Sequence, residues 1–108
     1  MKVFISQPMR GKTYSELVDE RNAIKDSIRA DFGNNIEFID SLFLDGEKEP
    51  LKSLAKSLSL LADADYAVFT GEWYNSHGCA TEHQCCVYYD IPILRHYMGY
   101  KDNAKGFI

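Results

Sequence analysis

Cysteine is scarce and unevenly placed, with all three residues at Cys79, Cys85 and Cys86. An odd, clustered set in a chain without a secretion signal makes no disulfide framework, so the three read as reduced thiols. Long apolar runs are missing as well. Nothing approaches the ~20 residues of a membrane helix, and the apolar start from Met1 to Ile5 is far shorter than a signal-peptide core. The expectation is a cytoplasmic protein without a membrane partner. Basic charge is not in excess: 12 Lys and Arg stand against 16 Asp and Glu, a formal charge of −4. Binding a nucleic-acid polymer relies on a broad cationic surface, which this balance argues against while leaving room for a local basic pocket. Walker-type and GxGxxG loops, internal repeats and low-complexity tracts are absent too.

What is present suits one compact domain over 1–108, because 108 residues at 45% hydrophobic content close a single core and hardly two. Lys2 to Ser6 is a short β-rich run that ends at Gln7-Pro8. Thr13 and Glu16 have capping-box spacing, and Leu17, Arg21, Ile24 and Ile28 follow along one face, which predicts a helix from about Thr13. Gly33-Asn34-Asn35 breaks it before a second strand at Ile36 to Ile39, and Leu42 to Glu49 reads as a loop. Pro50 then opens a second helix with an apolar stripe of Leu51, Leu54, Ala55, Leu58, Leu61 and Ala62. Tyr66 to Phe69 is a continuous apolar run, the mark of a strand buried on both faces, and Thr70 to Gly78 is a polar loop. A third helix over Cys79 to Tyr89 opens near Gly78 and stops at Asp90, and Ile91 to Leu94 is a last strand whose proline places it at an edge or a start. Strands and helices alternating on short connections imply right-handed crossovers. The fold class is therefore a small Rossmann-like or flavodoxin-like α/β three-layer sandwich with a mainly parallel sheet of four or five strands.

Ligands of such sheets bind beyond the carboxyl ends of the strands, where two loops meet. The first loop holds Ser6, Gln7, Pro8, Met9, Arg10, Gly11 and Lys12 and leads to the start of the first helix, where free N–H groups and the dipole favour an anion. Arg10 offers two forked donors to a phosphate or carboxylate, and Gly11 permits close backbone approach. A solvated loop cation is the equally weighted reading of Arg10 and Lys12. The second loop carries Trp73, Asn75, Ser76, His77 and Gly78 and leads into Glu82, an acid near a helix start. From position alone, a dipole-stabilising role of roughly 0.3–1 kcal/mol accounts for Glu82. Cys79, His83 and Cys86 share a helical spacing that invites zinc, but there is no second knuckle to complete a tetrahedron, so packing is preferred and neither metal nor cofactor is expected. Trp73, Tyr74, Tyr88 and Tyr89 fit core completion, with Trp73 the exception able to stack a base.

Three segments, Val3-Phe-Ile-Ser-Gln-Pro-Met-Arg-Gly11, Ala62-Asp-Ala-Asp-Tyr-Ala-Val-Phe69 and Gly78-Cys-Ala-Thr-Glu82, resemble the nucleoside 2-deoxyribosyltransferase superfamily in order and spacing. The resemblance spans Lys2 to Leu94 and is closest to short phage and prophage members related to deoxynucleoside 5′-monophosphate N-glycosidases. It implies a nucleotide or nucleoside substrate and a nucleophilic Glu82 that attacks the anomeric carbon, giving a glycosyl-enzyme resolved by water or a second base. It further implies that Arg10 and Ser6 hold the phosphate, with Ser76 a further donor, and that a homodimer or larger homo-oligomer forms, its site completed by a neighbour through a tail with His96, Tyr97 and Tyr100. Where the transferases carry two aspartates this chain has Ser57 and Ser76. Ser76 agrees with the monophosphate hydrolases and Ser57 with neither branch, which leaves His77, His83 and Asp63 as proton donors. A non-catalytic binder of a nucleotide or nucleotide-derived signal and an interaction module are the alternatives.

Overall fold

The computed structural model describes residues 1–42 and 49–97. Four strands alternate with three helices: β1 (Lys2–Ser6), α1 (Tyr14–Phe32), β2 (Glu37–Ile39), α2 (Pro50–Leu61), β3 (Tyr66–Thr70), α3 (His77–Tyr88) and β4 (Ile93–Tyr97). A 3-10 turn over Trp73–Asn75 precedes α3. The strands make one parallel sheet in the order β2-β1-β3-β4, a flavodoxin-like arrangement of four strands. The chain winds outward from β1 to β2, then returns past β1 to β3 and proceeds to β4. Its direction reverses between β1 and β3, so the ligand crevice of this topology opens beyond the carboxyl ends of those two strands.

The two faces of the sheet have separate cores, because side chains alternate along each strand. Val3 and Ile5 of β1 and Val68 of β3 pack against Ile24 and Ile28 of α1. Phe4, Ala67 and Phe69 point the other way, onto Leu61 of α2 and Cys86 of α3. The apolar run of β3 is thus buried on both faces, as its composition predicts. Truncating a fully buried residue such as Phe69 costs roughly 3–5 kcal/mol through lost transfer energy and the cavity left behind.

Helix α1 begins where the capping-box spacing places it. Thr13 accepts from the Glu16 N–H at 3.1 Å, and the Glu16 carboxylate accepts from the Thr13 N–H at 2.9 Å. Its buried residues are Leu17, Arg21, Ile24 and Ile28, the face read from the sequence. Gly33 ends the helix at φ 90°, a conformation in which a side chain is strained. Asp90, at φ 58°, turns the chain away after α3.

The bounds of four elements and one helix face differ from the sequence reading: α3 runs from His77 to Tyr88 where Cys79 to Tyr89 is expected. β2 starts at Glu37, and β3 continues through Thr70. β4 begins at Ile93 and continues to Tyr97, with a register shift opposite Ala67 and Val68. Pro92 has no N–H to give a ladder, although its carbonyl accepts from the Ala67 N–H at 3.0 Å, so regular pairing starts just after it. In α2 only Leu61 is fully buried, whereas Leu51 is 76% exposed and Ala55 and Ala62 face solvent. The cause is local: the first half of this helix borders an open cavity instead of packing on the sheet. Most of the stretch read as a loop over 42–49 lies outside the described residues.

Candidate active site

β1 ends at Ser6, hydrogen-bonded in register beside Phe69 of β3, and this places the Ser6 hydroxyl at the sheet's reversal point. Helix α3 starts at Ser76, whose side chain accepts from the Cys79 N–H at 3.3 Å. Glu82 follows as the sixth residue of α3, in its second turn and 6% exposed. That location weakens the dipole-stabilising account, since the effect fades beyond the first turn. Its carboxylate reaches the strand instead: Ser6 Oγ donates to Glu82 Oε1 at 2.6 Å. This is the length of a charge-assisted O–H···O bond.

Burial pushes the Glu82 carboxyl above the usual range, opposed by hydrogen bonds from Ser6 and Ser57 and by the charge of Arg21. Sequence periodicity assigned Arg21 only to a helix face, yet it forms the support beneath the site. It is 4% exposed and donates from Nε to Gln7 Oε1 at 3.0 Å, from Nη1 to Ser41 Oγ at 3.2 Å and from Nη2 to the Ile5 carbonyl at 3.3 Å. Desolvation lowers its own pKa, with Asp40 and Glu82 as the foremost opposing charges. Gln7, in turn, donates to the Leu17 carbonyl at 3.1 Å and to Glu20 at 2.8 Å. Its amide is therefore engaged in holding the scaffold on both its oxygen and nitrogen sides.

A cavity of about 600 Å³ lies over Glu82. Ser6, Gln7, Met9, Arg10, Ser76, His77 and Gly78 all border it, so the two loops singled out in the sequence do converge. The opposite wall is α2, through Pro50, Leu51, Ser53, Leu54 and Ser57. Apart from Ser57, the sequence reading did not assign that wall to the site. A signal existed, since Ser53 and Ser57 stand four apart and interrupt an otherwise apolar stripe. A second cavity of about 580 Å³ adjoins the first and shares Met9, Arg10, Pro50, Ser76 and His77 with it, adding Pro8, Lys12, Gly71, Glu72 and Asn75. Arg10 stands in this common wall and, among the described residues, makes no hydrogen bond or ion pair. Lys12 is instead paired with Glu20 at 2.9 Å.

No protein-family model, curated protein or solved structure matches the chain significantly. The site therefore stands on its own geometry.

Two expected residues lie elsewhere. Gly11 borders neither cavity; its φ of 80° makes it a turn residue with open space around it. Trp73 also turns away, stacking on His83 with ring centroids 4.0 Å apart and planes 10° from parallel. His83 Nε2 faces His96 Nε2 at 3.1 Å, so one ring donates and the other accepts, in opposite tautomers. Burial lowers the pKa of both imidazoles, and the His96 charge lowers that of His83 further. Phe69 packs edge-on against His83, completing an aromatic cluster that takes His83 away from Glu82. The zinc spacing is divided in the same way: Cys79 borders the Glu82 cavity, Cys86 lies in the core and His83 faces His96. Among the described residues no group of three His, Cys, Asp or Glu side chains is placed to share a metal ion, and the Cys86 thiol is pushed up to about 11 by burial. No helix among these residues is long and apolar enough to cross a membrane.

Proposed function

We propose that the chain cleaves the N-glycosidic bond of a nucleoside 5′-monophosphate-like substrate through Glu82. The observation that carries this reading is the buried Glu82 carboxylate held by Ser6 at 2.6 Å in a cavity bordered by Arg10, a cation that makes no hydrogen bond or ion pair among the described residues. A positioned carboxylate is the nucleophile suited to an oxocarbenium-like anomeric carbon. Ser6 donates to it at 2.6 Å, and the nearby Ser57 hydroxyl and the positive charge of Arg21 act in the same direction, which together favour the ionised form required for attack. Arg10 and the start of α3 at Ser76 and His77 suit a phosphate on the substrate's 5′ side. The leaving base normally departs with a proton, and His77 borders the cavity as a donor. The resemblance to nucleoside 2-deoxyribosyltransferases supports the same assignment of Glu82.

A second reading, a non-catalytic nucleotide binder, draws on the upward push of burial on Glu82, since a protonated carboxyl is no nucleophile. One experiment separates the two. Purified protein is incubated with deoxy- and ribonucleoside monophosphates, and free base is followed by chromatography alongside Glu82→Gln. Release by the native protein, with loss of about 10³-fold or more in the variant, is the expected result. A rise in melting temperature with unchanged nucleotide in both proteins identifies a binder, and equal release by the variant removes Glu82 from the chemistry.

A further inference from the structure

The two adjoining cavities and the groups around Glu82 say more about the ligand than a mononucleotide explains. Each cavity, at about 600 and 580 Å³, is within the roughly 300–1,000 Å³ range of a complete small-molecule site. Their shared wall holds Arg10, Ser76 and His77, a forked cation beside the start of the 12-residue helix α3. An anion on that wall has room on both sides, which fits a diphosphate bridge better than a terminal phosphate. Beyond it, Glu72 and Asn75 border the second cavity with the acceptor and amide groups that recognise a ribose diol.

The first cavity adds a chemical constraint. Glu82 is the sole carboxyl among its described lining residues, and the hydroxyl of Ser57, which lines the cavity with it, has no proton to lend at neutral pH. His77, the proton donor of the mononucleotide reading, borders both cavities and stands on the anion wall, where a diphosphate would engage it. A purine or pyrimidine leaves readily only when protonated. A pyridinium base already carries the positive charge and leaves as a neutral molecule without a proton.

We propose that the ligand is a pyridinium dinucleotide, with its N-riboside over Glu82, its diphosphate on Arg10 at the common wall and its second nucleoside in the adjoining cavity. This rests on the reading of Glu82 as a nucleophile. In the first step a Glu82 oxygen bonds to the anomeric carbon while the carbon–nitrogen bond breaks, its electron pair neutralising the pyridinium nitrogen. Water then bonds to the same carbon, the ester bond to Glu82 breaks to restore the carboxylate, and the water's spare proton passes to solvent. The net reaction is dinucleotide plus water to free base, the diphosphate-linked ribose product and a proton. The cationic base also favours ionised Glu82 while it is bound.

The test compares three compounds: oxidised nicotinamide dinucleotide, its nicotinamide mononucleotide half and a purine deoxynucleoside 5′-monophosphate. Each is incubated with the native protein and with Glu82→Gln, and the released base is measured. The expected result is nicotinamide release with kcat/KM for the dinucleotide about tenfold or more above its half, with purine release far slower and all turnover lost in the variant. Equal rates for dinucleotide and mononucleotide overturn the role of the second cavity. Purine release without nicotinamide release overturns the inference and leaves the glycosidase reading intact. If neither protein frees a base from any of the three, both fall.

Discussion

Glu82 sits where function and stability oppose one another. The carboxyl is nearly excluded from water, and burial is the largest influence on it, raising its pKa above 4.5. A group with a raised folded-state pKa contributes fully below the unfolded value, and that contribution is lost as the pH rises through the folded one. Glu82→Gln retains an oxygen to accept from Ser6 and cannot ionise. The variant is therefore expected to be more stable than the native protein at pH 8, by on the order of 1 kcal/mol. The advantage should shrink as the pH falls towards 4.5 and the native carboxyl gains its proton. Thermal melts of both proteins across this range check it, and a variant less stable at pH 8 would show that the hydrogen bonds and Arg21 outweigh desolvation.

Between elements, the junction of the 3-10 turn, α3 and β4 is a stack of rings. Trp73 comes from the turn, His83 from α3 and His96 from β4, and Phe69 of β3 packs against all three. Both imidazoles have pKa values lowered from 6.5 by burial, so their contribution to folding is complete above that pH and is lost as the pH falls through the folded values. Trp73 is the chain's one tryptophan and reports the event directly. Its fluorescence should change in a single step at a pH below 6.5 as His83 gains a proton, and His83→Gln should remove the step. A midpoint above 6.5 would mean that the tryptophan face stabilises the imidazolium more than burial disfavours it. The same stack takes Trp73 out of the ligand site expected for it.

At the scale of the whole molecule, Arg21 joins α1 to the end of β1 and to the segment after β2 through its bonds to Ile5, Gln7 and Ser41. Removing it leaves the buried oxygens of Gln7 and Ser41, on two segments, without its N–H donors and the Ile5 carbonyl with only the Ser41 hydroxyl, and each such loss costs more than a hydrogen bond's net gain. Arg21→Met is expected to destabilise the fold by about 3 kcal/mol in denaturant unfolding, with an unchanged denaturant slope. Arg21→Lys should recover only part, because one ammonium cannot reproduce the guanidinium fork. A loss below 0.5 kcal/mol would show that the network relaxes around a methionine.

The alternation of strands and helices, the start of α1 at Thr13 and its buried face of Leu17, Arg21, Ile24 and Ile28 were all legible in the sequence, because capping and periodicity act over three or four residues. So was the convergence of the loops around Ser6 and Glu82, since parallel crossovers bring strand ends to one edge. Other features depend on contacts between residues far apart in the chain. The Ser6–Glu82 bond joins positions 76 apart, and the His83–His96 pair joins positions 13 apart on α3 and β4. Likewise, α2 reads as an amphipathic core helix, yet its first half overhangs a cavity, which exposes Leu51 and sets Ser57 against Glu82. Local spacing determines which face a helix offers; only the packing of the whole sheet decides whether that face meets a core or an opening.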